Sequence, residues 1–229
     1  MIIIHEALDS EANHIAKIVE EVLSVDCALQ SEDLSHLFER LERFNAFWHS
    51  CDRISEHLYS QTRGKKIIVL TSRDIYFNDE SREDNWCFAY EQDNPPKTSI
   101  VISTSRLKGR DSSPGKELEI PENLYLQRLA AIALHEIGHD VVKGGHLQDA
   151  TWVNAQTVYT VSTGPHCPNN DCVLYQVADV QTPHPREGHF LVGGQKRFDA
   201  GLDDLITRLN QAWFCGECIR SLEVDQKYR

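Results

Sequence analysis

The chain has 229 residues, of which 41% are hydrophobic and 25% charged, as in an ordinary globular protein with ample material for a core. Its net charge of −12, with no basic stretch to offset it, argues against nucleic acid as a partner. The N-terminus lacks the apolar region of a signal peptide, and no run of about 18 apolar residues is present to span a membrane, so we expect a cytosolic protein. The seven cysteines are then expected to be thiols or metal ligands rather than disulfides.

The first 62 residues are predicted to be an extra, mostly helical N-terminal part that follows a short strand at residues 1–8. Apolar residues at helical spacing predict one helix from Asp9. A second helix is predicted from about Ser31, because an apolar stripe follows it at the same spacing. That stripe consists of Leu34, Leu37, Phe38, Leu41, Phe44 and Trp48.

The next part, residues 63–143, is predicted to hold a sheet and one long helix. Runs rich in β-branched and aromatic residues predict strands at 67–71, 86–90 and 98–107. The helix is predicted to begin at Pro121 and to end near Val142, before two glycines. Because it is apolar on most sides, we expect it to be buried against the sheet.

The last part, residues 144–229, is rich in cysteine and histidine. Residues 152–153 and 158–161 are predicted to form a small hairpin. Residues 201–225 are predicted to form a C-terminal helix that is broken near Cys215.

Near the end of the long helix, residues 135–139 have the sequence HEIGH, which is an H-E-x-x-H motif. On a helix, His135 and His139 project from one face, one turn apart, where both imidazoles can reach one zinc ion. Glu136 lies one step round the helix and can act as general base towards a water molecule. The motif therefore predicts a catalytic zinc site.

Two close pairs of cysteines follow: Cys167 and Cys172, then Cys215 and Cys218. Two such pairs are typical of a structural zinc ion held by four thiolates. A redox Cys-x-x-Cys would need a strand directly before it, whereas residues 205–214 look helical. We therefore predict two zinc ions, one catalytic and one structural.

Taken together, these motifs resemble the archaemetzincin family of zinc peptidases, over about residues 65–220. That family has H-E-x-x-H, a third histidine followed directly by cysteine, a second cysteine after four intervening residues, and a later Cys-x-x-Cys. This chain has HEIGH, then His166-Cys167, Cys172 and CGEC at 215–218. The resemblance implies a single zincin-like domain over residues 1–229, of α+β class, with a small mixed twisted sheet packed on a long active-site helix.

The chain departs from the family pattern at two points. First, 26 residues separate His139 from His166, which the Cys-adjacent pattern makes the third zinc ligand. By proximity to the helix, His146 is the alternative. Second, Leu174 stands where the family has a methionine beneath the metal, a substitution that usually costs less than about 1.5 kcal/mol in a core.

The resemblance implies a zinc-dependent peptidase that acts on peptides or proteins, with Glu136 as catalytic base. The alternative is a catalytically silent, zinc-stabilised module of the same fold that binds a peptide or protein. The family also implies a sheet edge along which an extended peptide lies. The residues predicted for that edge are Val101, Ile102, Ser103, Thr104 and Ser105.

Overall fold

The protein is described by a computed structural model, which covers most of the chain. The described residues are 1–41, 46–51, 54–55, 57–58, 65–77, 85–91, 99–105, 107–108, 120–154, 160–175, 188–197, 201–209, 212–225 and 228. The chain forms two compact units, the first made of Met1–Glu136 and Val224–Arg229 and the second of Ile137–Glu223.

The named elements alternate between short strands and a few helices. In chain order the strands are β1 (Ile2–His5), β2 (Ala28–Ser31), β3 (Phe38–Leu41), β4 (Ala46–Ser50), β5 (Ile67–Thr71), β6 (Ile75–Phe77), β7 (Asn85–Cys87), β8 (Ala89–Glu91), β9 (Ser99–Ser103), β10 (Gln148–Asn154), β11 (Thr160–His166), β12 (Gly188–Val192) and β13 (Gln195–Arg197). The helices whose bounds the described residues give are α1 (Asp9–Leu23), α2 (Glu122–Val141), α3 (Leu202–Arg208) and α4 (Gly216–Arg220), and Cys51, Ile54, Ser55, His57 and Leu58 are also helical.

The first unit is built on a five-stranded sheet in the order β2-β1-β5-β9-β8. Four of its strands, β2, β1, β5 and β9, run parallel to one another, and the fifth, β8, pairs antiparallel with β9. Strands β5 and β9 are buried along their whole length, which explains why their sequences are continuous apolar runs rather than alternating ones. The strands predicted at 67–71 and 98–107 are thereby confirmed, the second being shorter than predicted.

A second sheet of the first unit corrects one prediction. Helix α1 is present as expected, but the second helix predicted from Ser31 is wrong: after a single 3₁₀ turn at Ser35–Leu37, β3 and β4 form an antiparallel pair. These strands continue into a four-stranded sheet in the order β3-β4-β6-β7. Pairing with strands distant in sequence has overridden a helical spacing. Phe44, in the predicted stripe, and the predicted boundary at 62–63 lie outside the described residues.

The predicted 86–90 strand is two strands, since β7 and β8 belong to different sheets and Phe88 lies between them. Helix α2 is confirmed within one residue at each end of the prediction. Eight of its apolar residues are at most 4% exposed: Leu129, Ala130, Ala131, Ile132, Ala133, Leu134, Ile137 and Val141. Such a buried helix is a stiff support for the histidines that it carries. Among the described residues, no helix is long and apolar enough to cross a membrane.

The second unit contains an antiparallel sheet in the order β11-β10-β12-β13. The predicted hairpin is present as β10 and β11, each longer than expected, and residues 155–159 between them lie outside the described residues. The predicted C-terminal helix is present only as the short helices α3 and α4, and residues 209, 212–215 and 221–225 are not helical, so the helix predicted up to Cys215 and on to residue 225 is wrong there. Hairpin β10–β11 ends on His166, so it returns the chain from the end of α2 to that histidine.

Candidate functional site

Three histidines come together around the end of helix α2. His135 and His139 lie one turn apart on the helix, and His166 ends β11. The ligand nitrogens of the three residues all lie within 4.8 Å of one another. The rings of His139 and His166 meet edge to face, with centroids 4.6 Å apart at 80°. His146, the alternative third histidine, does not belong to this group and lies in a second cluster described below.

The orientation of His166 is fixed by its own strand. Its ring is 1% exposed, and Nδ1 lies 2.9 Å from the carbonyl oxygen of Gly164. Because a carbonyl oxygen only accepts, Nδ1 carries the ring proton and donates it, which leaves the lone pair on Nε2. This is the tautomer that histidine ligands commonly adopt when a backbone carbonyl holds the other nitrogen.

A β-bulge in the hairpin prepares this arrangement. Ala150 pairs with Gly164 and the next residue, Thr151, pairs with Ser162, so Thr163 is the extra residue on β11. The Thr163 hydroxyl donates to the Ala150 carbonyl oxygen at 3.1 Å. Gly164 has a φ of +81°, which a side chain would strain. Bulges of this kind redirect the residues that follow them, here His166.

Leu174, at the position of the family methionine, packs directly against the histidine helix. A Cβ placed on Gly138 would lie 2.7 Å from Cδ2 of Leu174 and 3.1 Å from Cε1 of Phe214. Leu174 is fully buried and Phe214 is 2% exposed, so neither has room to withdraw. The glycine between the two helix histidines is therefore required by close packing with Leu174.

Replacing Gly138 with alanine is expected to destabilise the protein by about 1–3 kcal/mol, because the added methyl overpacks this contact. In an unconstrained helix the same change stabilises by up to about 1 kcal/mol, so the sign of the effect reports the packing. Denaturant unfolding measures it. Leu174→Ala in the Gly138→Ala background should recover part of the loss, and Leu174→Met alone should cost little. A stabilised Gly138→Ala protein would contradict the contact.

Glu136 and the histidines beside it differ in exposure. His135 is 7% exposed, whereas Glu136 and His139 are half-buried. Glu136 follows His135 directly in the helix and is partly exposed, so water can reach it. The arrangement meets the first requirement for a general base, which is access to the proton that it removes.

The second cluster joins the two cysteine pairs with His146. The ligand atoms of His146, Cys167, Cys215 and Cys218 all lie within 4.8 Å of one another. The Sγ atoms of Cys167 and Cys215 are 3.7 Å apart, and Cys172 Sγ lies 3.5 Å from Cys218 Sγ. Four thiolates on one zinc, with bonds of about 2.3 Å, would be about 3.8 Å apart. The sulfur pairs Cys167–Cys215 and Cys172–Cys218 thus lie at about the separations that a tetrahedral site needs, whereas the group of four mutually close donors contains His146 and not Cys172.

The electrostatics of these thiols also favour a cation. The pKa of Cys172 is lowered by its hydrogen bonds with the thiols of Cys167 and Cys218 and with the backbone N–H groups of Cys215 and Leu174. The pKa of Cys167 is raised to about 12, mainly by its hydrogen bond with Cys172, and that of Cys218 is raised mainly by its hydrogen bonds with Cys167 and then with Cys172. These shifts follow from the close spacing of the sulfur atoms, and a cation placed among them would favour their thiolate forms. Both donor sets, three imidazoles and a thiol-rich cluster, fit zinc.

Among the described residues, Cys27 and Cys51 belong to neither donor cluster. Cys51 is buried, and burial raises the pKa of Cys27 to about 11. At pH 8, Cys27 should therefore react with iodoacetamide roughly a hundredfold more slowly than a thiol in an exposed peptide, because only the thiolate attacks. The rate should rise about tenfold per pH unit up to that pKa. Labelling followed by peptide mass spectrometry tests this, and a Cys27 rate equal to that of the peptide would contradict it.

The predicted peptide-binding edge needs a correction. Strand β9 is an interior strand, paired with β5 on one side and β8 on the other, so its backbone groups at Val101, Ile102 and Ser103 are already used. The Thr104 N–H donates to Thr71, and Ser105 is exposed. Sequence shows that a strand exists but not which strands flank it. Within the described part of this sheet, the antiparallel edge is β8.

Comparison with known proteins gives the class of fold. No protein-family model matches the chain, and no curated protein does. Among solved structures, the fold is that of zinc-dependent peptidases of the archaemetzincin type.

Two structures carry this likeness. One is archaemetzincin from Archaeoglobus fulgidus complexed with malonate, at 19% identity and a TM-score of 0.53, with 96% of this chain and 99% of that chain covered. The other is a zinc-dependent peptidase from Methanocorpusculum labreanum, at 16% identity and a TM-score of 0.55, with 97% and 99% covered. At these identities the likeness shows the fold, and function has to be argued from the site.

Sequence reasoning missed three features of the site. It did not find the Gly164 carbonyl that orients His166, although a glycine just before a Pro-His pair is a usable turn signal. It did not find the contact between Gly138 and Leu174. It also did not place His146 beside Cys218, because the two are 72 residues apart and no local spacing connects them.

Proposed function

We propose that the protein is a zinc-dependent peptidase that hydrolyses peptide bonds in a peptide or protein substrate. The observation that carries this proposal is the cluster of His135, His139 and His166 with Glu136 on the same helix. Three imidazoles from rigid elements and a neighbouring carboxylate are the composition of a catalytic zinc site rather than a structural one. The archaemetzincin-type fold supports the same reading.

In this proposal, His135, His139 and His166 hold the zinc ion. When bound, the ion supplies a Lewis acid that polarises the peptide carbonyl and lowers the pKa of a water molecule to about 7. The chain's own contribution begins with Glu136, which accepts a proton as water oxygen bonds to the carbonyl carbon. Glu136 then gives a proton to the amine as the C–N bond breaks, so it ends the cycle ionised.

The Gly164 carbonyl has a positioning role in this scheme. By holding the Nδ1 proton of His166 it keeps Nε2 available and the ring in place. For the substrate, an extended peptide would pair with the edge strand β8 rather than with β9, since the backbone of β9 is already bonded on both sides.

A peptide library tests the proposal directly. Zinc-loaded protein is incubated with the library and the products are read by mass spectrometry. Cleavage should occur, stop on treatment with a chelator and return when zinc is restored. If fully zinc-loaded protein retains peptides without cleaving any, the silent binding module replaces the enzyme.

A further inference from the structure

The thiol-rich cluster holds more donors than a tetrahedral metal ion needs. The sequence predicts four ligands there: Cys167, Cys172, Cys215 and Cys218. The structure adds His146, whose Nε2 lies 3.2 Å from Cys218 Sγ. With bonds of about 2.3 Å to sulfur and about 2.0 Å to nitrogen, the two atoms would be about 3.5 Å apart on one zinc ion. His146 is therefore placed as a ligand would be.

The backbone explains how His146 reaches the cluster. Just after helix α2, the chain pairs with the segment that follows α4. Val142 and Leu222 form an antiparallel bridge, the Glu223 N–H donates to Val141 at 2.7 Å, and the Lys143 N–H donates to Ser221 at 2.9 Å. Helix α4 carries Cys218, so this pairing brings the residues after α2 close to the pair Cys215 and Cys218.

Gly144 leaves room for the His146 ring beside the cluster. A Cβ on this residue would lie 2.5 Å from Cε1 of the His146 ring and 2.7 Å from the Ser221 hydroxyl oxygen. The imidazole thus folds back over the space that a side chain at position 144 would occupy. Gly145 differs, since nothing lies within 4 Å of its Cβ position. Only the first of the two glycines is needed for the position of the ring.

Cys172 has a different set of contacts. Its Sγ accepts the N–H of Cys215 at 3.5 Å and lies 3.5 Å from the sulfur of Cys218. The set of four donors that are all within 4.8 Å of one another contains His146 and not Cys172. Cys172 is therefore placed to accept hydrogen bonds beside the metal, a role that does not need a bond to it.

We propose that the second centre binds zinc through His146 Nε2 and the thiolates of Cys167, Cys215 and Cys218, with Cys172 beside it as a hydrogen-bonded sulfur. This inference rests on a metal ion occupying the second centre. It does not depend on the peptidase reaction, and its tests read ligation rather than turnover.

Cobalt(II) alone is the probe, because thiolate-to-cobalt charge transfer reports only metal bound to sulfur. With three thiolate ligands, Cys215→Ser should lose about a third of the charge-transfer intensity, whereas Cys172→Ser should keep nearly all of it. Cys27→Ser, which changes a thiol outside the cluster, is the matched control. Equal losses of about a quarter for Cys172→Ser and Cys215→Ser would mean four thiolates and would overturn the proposal.

The glycine pair tests the histidine without removing a donor. We expect His146→Ala and Gly144→Ala each to weaken cobalt binding at least about tenfold and to shift the d–d bands, while Gly145→Ala leaves both unchanged. Unchanged d–d bands in His146→Ala would overturn the proposal.

The wild-type protein gives a measurement that no folding defect can obscure. X-ray absorption of zinc-loaded protein should count three sulfur ligands per chain, and four would overturn the proposal. Once the sulfur number per zinc is multiplied by the measured zinc content per chain, this count does not depend on whether the three-histidine centre fills. The peptidase proposal and this one can therefore fail separately.

Discussion

Glu136→Gln is expected to lower kcat/KM for peptide cleavage by about 10²- to 10⁴-fold, the usual contribution of a general base. The substitution keeps the size and half-buried position of the side chain but removes its ability to accept the proton from water. Zinc content should stay at the wild-type level, because the carboxylate is not among the proposed ligands. Peptide cleavage and metal analysis on the same sample give both numbers.

The matched control is Glu122→Gln, which changes an exposed glutamate in the first turn of the same helix. It should leave cleavage unchanged. Full activity in Glu136→Gln would remove this residue from the mechanism. A loss of zinc in Glu136→Gln would mean that the residue supports the metal rather than the proton transfer.

His166→Ala is expected to lower the zinc content by one ion per chain and to reduce cleavage by at least about 10³-fold. A bound metal contributes several kcal/mol of transition-state stabilisation, and 1.4 kcal/mol corresponds to a factor of ten. His146→Ala should act on the thiol-rich centre instead and leave the three-histidine centre loaded. Metal content and cleavage measured on both variants separate the two roles.

His36→Ala is the control, because this exposed histidine belongs to neither cluster. The result that would contradict this prediction is the reverse pattern of cleavage in the two variants. If His146→Ala abolished cleavage while His166→Ala kept it, His146 would be the third ligand of the catalytic centre, as its proximity to the helix in the sequence allows.

The parts of the fold that could be predicted from sequence are those determined by the spacing of residues close together in the chain. The four-residue step from His135 to His139 defines one helix face, and the two glycines after Lys143 mark where that helix has to end. The apolar runs at 67–71 and 99–103 are likewise local, since buried parallel strands have no polar face.

The failures share a different cause, which is pairing between distant segments. β2 has four exposed residues and is a strand because it pairs with Ile2–His5, which its own composition does not reveal. The stripe from Leu34 to Leu41 has helical spacing, yet Phe38–Leu41 pairs with β4. His146 joins Cys218 for the same reason, through the backbone pairing after α2 and after α4. Such contacts follow from topology, and one sequence does not encode them in any short pattern.

His166 and Cys167 are consecutive residues, and each belongs to a different donor cluster. The two centres thus share a single peptide unit. When one ion orders this unit, it also orders a ligand of the other centre. Thermodynamic linkage makes this reciprocal: tighter loading of either centre favours loading of its neighbour by the same factor. Each centre can still fill without the other, but filling one would then raise the zinc affinity of its neighbour.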